Sequence, residues 1–241
     1  MIALRTLVAA VYPPHCLACA APVDETGALC PECWREARFL SGTLCDTCGV
    51  PLPGEADGGP LLCDECLTTP RPWSAGRAAL AYTGTGRRLV LALKSADRTD
   101  LPLAAAGWMA QAGQSLILPD MCVAPVPLHR LRLFTRRYNQ SALLSGALAR
   151  RMGLTHLPDL LIRRRATPSQ DGRGRDARFA NLDSAIAVHA KRGTQIAGRA
   201  LLLIDDVMTS GATLAACAEA GFRAGAADVR VLTLARVVKD D

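Results

Sequence analysis

Residues 201–213 read LLLIDDVMTSGAT, and this run decides the fold. Leu201, Leu202, Leu203 and Ile204 are wholly apolar, as expected of a parallel strand buried on both faces. Asp205 and Asp206 follow where the strand should emerge from the sheet. Thr209, Ser210, Gly211, Ala212 and Thr213 then form a small loop rich in hydroxyls and glycine, leading into a helical pattern over 214–222. Such a loop at a helix N-terminus offers converging backbone N–H groups and the positive end of the macrodipole to an anion. The two carboxylates would repel a phosphate, so their natural partners are sugar hydroxyls or a magnesium ion. Phosphate plus ribose is the combined reading, and open α/β sheets bind ligands at the carboxyl ends of their strands. A P-loop is excluded because no Gly-Lys-Ser/Thr follows, and a dinucleotide fingerprint because no G-x-G-x-x-G opens the helix.

Working outward from this run, strand and helix patterns alternate. A short strand is expected at 78–82, a helix at 86–93 with Leu89, Val90 and Leu93 on one face, and a helix at 103–112. A strand at 123–127 should stop at proline. A helix at 139–152 follows, bearing Leu143, Leu144, Ala147 and Leu148, and a short edge element at 155–161. Strands at 201–204 and 229–234 flank a helix at 212–223. The stretch 162–192 is too charged for core and is expected to form loops with a short helix. The fold class is therefore α/β, a parallel sheet covered by helices on both faces.

The N-terminal third carries a different chemistry. Eight of the ten cysteines form four C-x-x-C pairs: Cys16/Cys19, Cys30/Cys33, Cys45/Cys48 and Cys63/Cys66. Two residues between thiols let both sulfurs reach one ion, and two such knuckles complete a tetrahedral four-cysteine site. Four pairs make two structural zinc (Zn2+) sites, paired either sequentially or in interleaved fashion. Disulfides would need an oxidising compartment, and residues 1–14 offer no convincing cleavage site before Cys16. That segment looks like a short amphipathic helix stopped by Pro13 and Pro14. A redox pair usually comes singly, at a helix start after a strand. Cys122 and Cys217 lie in apolar runs and are expected to be small core residues.

The 241 residues suit a mini-domain plus one α/β domain, with 1–74 as a double zinc-ribbon module and 75–241 as the sheet domain. The boundary falls at the proline-rich run around Pro70 and Pro72. No apolar stretch is long enough to span a bilayer, so no membrane insertion and a cytoplasmic location are expected. The formal net charge of +6 is unevenly spread, the first 75 residues being acidic and the remainder basic. An arginine-rich patch over 128–178 suits a polyphosphate or a nucleic-acid backbone equally well. His15, His129, His156 and His189 are scattered, and none is a compelling base or ligand.

Residues 201–213 resemble the ribose-5-phosphate signature of type I phosphoribosyltransferases: apolar strand, two acids, two variable residues, Thr-Thr/Ser-Gly-x-Thr. Ser210 stands where the second threonine is usual and keeps the hydroxyl. Further blocks are similar to the ComF (ComFC/GntX-like) family. These are YTGTGRRLVLALK at 82–94, Pro125-Val-Pro127 with Arg136-Arg137-Tyr138-Asn139-Gln140, and Arg164, Thr167 and Gln170 followed by Arg175, Arg178 and Asn181. Together with the cysteine pairs, the resemblance spans about residues 12–236. Arg137-Tyr138 replaces the family's usual Gly-Phe.

The resemblance implies that Asp205 and Asp206 are the catalytic acids holding the ribose hydroxyls of phosphoribosyl pyrophosphate. It implies that Thr209, Ser210, Gly211, Ala212 and Thr213 wrap the 5-phosphate, and that Lys94 and Ser95 lie in the pyrophosphate loop. Arg136, Arg137, Asn139 and Gln140 either cover the pyrophosphate or start a helix, with Asn139 or Gln140 as its cap. Mg2+ would accompany phosphoribosyl pyrophosphate. Two function classes stay open. One is a phosphoribosyltransferase in nucleoside metabolism. The other is a non-catalytic zinc-dependent module that handles single-stranded DNA or DNA-uptake proteins and uses the pocket for sensing or binding.

Overall fold

A computed structural model of the chain describes residues 13–54, 58–93, 98, 100–128, 138–164 and 185–238. The expected helix over 1–12 lies outside them. Two short helices, α1 (Pro31–Glu36) and α2 (Asp64–Thr68), belong to the cysteine-rich segment. Five strands then form one sheet: β1 (Ala75–Ala81), β2 (Cys122–Pro125), β3 (Thr155–His156), β6 (Ala200–Met208) and β7 (Asp228–Arg236). Their order is β1-β7-β6-β2-β3, and every neighbouring pair is parallel. The connecting helices are α3 (Gly84–Ala92), α4 (Leu101–Ala112), α5 (Gln140–Met152) and α6 (Ala212–Arg223).

Strand alternation explains the two-sided core. Leu201 and Leu203 of β6 face the cluster that contains Leu214, Ala215 and Ala218 of α6. Leu202 and Ile204 face the opposite cluster, with Leu89 of α3, Met109 of α4 and Leu144 of α5. All four of these strand residues are fully buried, so the uninterrupted apolar run is the pattern of a doubly covered strand. Truncating any of them to alanine costs about 2–5 kcal/mol.

The topology also locates a crevice. From β2 the chain passes through α5 to β3 on one side, and from β6 through α6 to β7 on the other. The sheet order therefore reverses between β2 and β6, and a ligand crevice opens at such a point beyond the carboxyl ends of the strands.

Two expectations are corrected. The strand was expected to end at Ile204, but β6 runs to Met208 because Asp205, Val207 and Met208 pair with Thr233, Ala235 and Arg236 of β7. On the other side β2 stops at Pro125, the partner of Ile204, so both acids lie in a strand paired along one edge. The stretch 162–192 is not all loop. β4 (Leu161–Arg163) and β5 (Ile186–Val188) form an antiparallel pair, with Ala185 and Ile186 buried against the α6 face. Its charges hid a three-residue strand with a single large apolar anchor. Residues 165–184, including Arg165, Thr167, Gln170, Arg175, Arg178 and Asn181, lie outside the described residues.

Candidate functional site

Asp205 and the loop after it sit at the switch point. The Ser141 hydroxyl, in the first turn of α5, donates to the Asp205 carboxylate at 2.9 Å and so bridges the β2 and β6 sides of the crevice. The Asp206 backbone N–H donates to the same Asp205 oxygen at 2.9 Å. Burial, then the neighbouring Asp206 charge, push the Asp205 carboxyl well above the ordinary 3.8, while Ser141 and the Asp206 amide oppose the shift. A crowded acid pair of this kind is relieved by hydroxyl donors or a divalent cation. That chemistry fits ribose and Mg2+ together.

Beyond Met208 the chain turns through Thr209 and Ser210 to Gly211, which takes a left-handed conformation at φ 77° as the N-cap of α6. The first N–H groups of a twelve-residue helix lack intrahelical partners there, and they carry the positive end of its dipole. Packing adds a second reason for glycine at 211. A Cβ at this position would lie 3.0 Å from Trp73 Cη2 and 3.4 Å from Arg71 Nη1, so the linker before β1 packs against the loop's back.

The block from Tyr138 to Ser141 resolves into structural roles. The Asn139 side chain caps α5 by accepting from the Ser141 N–H at 3.1 Å and donates to the Val126 carbonyl at 3.0 Å. Asn139 thus aims Ser141 at Asp205. Gln140 is buried, and its side-chain nitrogen has no hydrogen-bond partner among the described residues. The Tyr138 hydroxyl donates to the Leu93 carbonyl at 2.9 Å. Lys94, Ser95, Arg136 and Arg137 lie outside the described residues, as does His129. His156 is paired with the Ser145 hydroxyl at 2.9 Å, and burial lowers its pKa. Cys122 and Cys217 are core residues.

The eight knuckle cysteines assemble as two clusters, Cys16/Cys19/Cys30/Cys33 and Cys45/Cys48/Cys63/Cys66, each with all sulfurs within 4.8 Å of one another. Sequential pairing is therefore the one realised, and no disulfide joins them. The sulfurs of Cys19 and Cys30, and of Cys48 and Cys63, stand 3.7 Å apart. A tetrahedral four-sulfur site with Zn–S of about 2.3 Å has edges of about 3.8 Å, so both clusters fit zinc. Electrostatics agrees with this fit. The Cys48 thiol holds Cys45 as a thiolate, pulled down to about 4, while burial and the neighbouring thiols push Cys33 up to about 12. Without a cation, four sulfurs held this close cannot all ionise.

Each cluster is tied to the sheet domain by arginine. Arg88 of α3 contacts the Cys33 sulfur at 3.6 Å and pairs with Glu36. At the second cluster, Glu65 lies between the ligands Cys63 and Cys66 and takes Arg71 at 2.7 Å and Arg236 at 3.6 Å. Arg71 also donates to the Ser210 carbonyl at 2.6 Å, and Arg236 to those of Thr209 and, at 3.4 Å, Met208. The Trp73 indole donates to the Thr47 carbonyl, within the third C-x-x-C pair, at 2.7 Å. Sequence reading missed Ser141, Glu65, Arg71, Trp73 and Arg236 as site residues. Ser141 follows directly on the resembling block. Arg71 and Trp73 lie in a proline-rich run that reads only as a linker, and no local pattern links Glu65 to a loop about 145 residues away.

Comparison with known proteins fits this arrangement. The double zinc ribbon domain family matches residues 7–67. Over 94% of its length the chain is 33% identical to 98% of the DNA utilization protein YhgH of Salmonella typhi. It is 32% identical to the protein of that name from Escherichia coli K12, with 87% of this chain and 91% of the relative aligned. It is 28% identical to the competence protein F of Haemophilus influenzae, over 86% and 90% of the two chains.

Proposed function

From the premise that this chain belongs to the ComF/YhgH family, with its N-terminal double zinc ribbon and parallel-sheet domain, we propose that it binds phosphoribosyl pyrophosphate with Mg2+ and transfers the phosphoribosyl group. The single observation that carries the reading is the placing of Asp205, Asp206 and the N-terminus of α6 together at the sheet's switch point, with Ser141 closing the crevice. In this reading the loop from Thr209 to Thr213 holds the 5-phosphate by its backbone N–H groups, and the two acids hold the ribose hydroxyls. Lys94, Ser95 and Arg137 are assigned to the pyrophosphate. They adjoin Leu93 and Tyr138 in sequence, and those two residues are hydrogen-bonded to each other.

In the transfer, the bond from ribose C1 to the pyrophosphate oxygen breaks and its electron pair leaves with pyrophosphate. An acceptor then bonds C1 through its own lone pair. Charge grows on the departing pyrophosphate and on an oxocarbenium-like ribose, so the protein's work is positioning and electrostatic stabilisation. Mg2+, when bound, neutralises charge on the leaving pyrophosphate. The acid pair keeps negative charge beside the ribose, where positive charge develops.

The second reading is a non-catalytic one, in which the pocket serves sensing and the protein handles single-stranded DNA or DNA-uptake proteins. It is favoured by what the relatives are called, DNA utilization and competence proteins, and by the arginine-rich stretch 128–178. One preparation separates the two. Calorimetry with phosphoribosyl pyrophosphate and Mg2+, together with pyrophosphate release over a set of free bases, tests the first, and single-stranded DNA binding tests the second. Binding with release supports transfer. Binding without release under any base supports the sensing module, and no binding of the sugar phosphate overturns both uses of the pocket.

A further inference from the structure

The second cysteine cluster and the phosphate loop are joined by a short chain of charges, two buried arginines meeting on one half-buried glutamate. Glu65 follows Cys63 by two residues and precedes Cys66 by one. Its carboxylate holds Arg71 and Arg236, whose side chains are 1% and 3% exposed. Each guanidinium group also donates through Nη1 to the loop, Arg71 to the Ser210 carbonyl and Arg236 to the Thr209 and Met208 carbonyls. Trp73 completes the contact, with its indole on Thr47 of the Cys45/Cys48 knuckle and its ring edge against Gly211. Arg71 also lies 5.8 Å over the Trp73 ring.

Peptide geometry gives this chain a consequence. In a trans peptide the C=O of one residue and the N–H of the next point in opposite directions. A carbonyl of Thr209 drawn to Arg236 therefore sends the Ser210 N–H the other way. A Ser210 carbonyl drawn to Arg71 likewise sends the Gly211 N–H away from the guanidinium side. The arginines sit on the zinc-ribbon side of the loop, so these N–H groups are aimed off it. An arginine fork suits this task because one planar group can bond a carboxylate and a carbonyl at once. The charges also oppose one another across the assembly: a zinc ion with four thiolates and Glu65 carry net negative charge, and the two arginines pair with that side while donating to the loop.

We propose that Glu65, Arg71 and Arg236 are positioning residues that set the direction of the Ser210 and Gly211 amides, so that the Cys63/Cys66 knuckle, which carries Glu65, is coupled to anion binding at the loop. This rests on the reading of 209–213 as a phosphate site. The first cluster is the internal comparison, because its arginine, Arg88, ends on Glu36, Thr85 and Cys33 and reaches no loop carbonyl.

The test uses the zinc-loaded full chain labelled with 15N. Arg71→Gln, Arg71→Lys, Glu65→Gln and Arg88→Gln are compared with the unaltered protein for zinc content, for the amide resonances of Ser210 and Gly211 without ligand, and for affinity toward phosphoribosyl pyrophosphate with Mg2+. Arg71→Gln and Glu65→Gln are expected to keep two zinc ions, to move both amide resonances, and to weaken binding roughly tenfold to a hundredfold, the worth of one charge-assisted hydrogen bond. Arg71→Lys restores charge without the fork and should recover part of the affinity. Arg88→Gln should leave amides and affinity unchanged. Should Arg71→Gln fail to fold, Arg71→Lys carries the comparison, and its amides must still move. Amide resonances of Ser210 and Gly211 that coincide with the unaltered protein in the Arg71 and Glu65 variants overturn the proposal, as does an equal effect of Arg88→Gln. Because the resonances are read without ligand, a protein that binds no phosphoribosyl pyrophosphate refutes the substrate assignment and leaves the positioning result to stand or fall on its own.

Discussion

Replacing Gly211 with alanine isolates what the loop demands of its backbone. The residue sits at φ 77°, and a left-handed residue with a Cβ costs about 1–2 kcal/mol. The new Cβ would also stand 3.0 Å from Trp73 Cη2 and 3.4 Å from Arg71 Nη1. Trp73 is 4% exposed and held by Thr47, so neither neighbour gives way freely, and overpacking of this kind adds about 1–3 kcal/mol. Gly153 provides the control. It takes φ 67° at the C-terminus of α5, with nothing within 4 Å of an added Cβ, so Gly153→Ala carries the backbone term alone. The gain from a stiffer unfolded chain is common to both variants and cancels. For a chain of this size each kcal/mol moves Tm by about 2–4 °C, so Gly211→Ala should melt about 2–12 °C below Gly153→Ala. Gly211→Val should be worse still and should lose the sugar phosphate in calorimetry. Thermal melts of the two alanine variants decide the point. A Gly211→Ala protein that melts with or above Gly153→Ala refutes the packing of Trp73 on the loop.

Other perturbations reach the remaining parts of the account. Freshly purified reduced protein should hold two zinc ions by elemental analysis, and Cys45→Ser should lose about one; a metal-free protein contradicts the assignment. Asp205→Asn should abolish ribose binding yet raise stability at neutral pH. A carboxyl whose folded pKa is raised above 3.8 loses its stabilising contribution as pH rises through the folded value, and asparagine does not titrate. The gain should vanish below about pH 4, and denaturation of both proteins across pH 3–8 reads it directly. If the arginine-rich stretch is a nucleic-acid surface, single-stranded DNA affinity should fall steeply with salt, and charge reversal at Arg163, Arg164 and Arg165 should weaken it with little dependence on sequence. Salt-insensitive binding would leave those arginines to a small phosphate ligand.

What could be read in the sequence followed from locality. The strand 201–204, the loop 209–213 and the helix 212–223 are each specified by residues within a few positions of one another, and the structure places them together. The cysteine spacing likewise carried the clusters, though not their pairing, because spacing alone allows a knuckle to meet any other. The rest depended on distant partners. β6 extends to Met208 because β7 pairs with it, which no pattern in 205–208 declares. Asn139 caps α5, and Ser141, two residues on, makes the contact to Asp205. The linker with Pro70 and Pro72 carries Arg71 and Trp73 against the back of the loop that precedes α6. A proline-rich run is legible as a break in helix and strand, but its side chains' destinations are set by the whole fold.

A crystal structure of the zinc-loaded protein with phosphoribosyl pyrophosphate and Mg2+ shows whether the loop at the start of α6 is a ribose-5-phosphate site. The 5-phosphate is expected within hydrogen-bonding distance of the backbone N–H groups of residues 210–213 and the ribose hydroxyls on Asp205 and Asp206, with Ser141 still bonded to Asp205. A ligand bound elsewhere, or bound at the loop in reversed orientation with its ribose away from both acids, would contradict it.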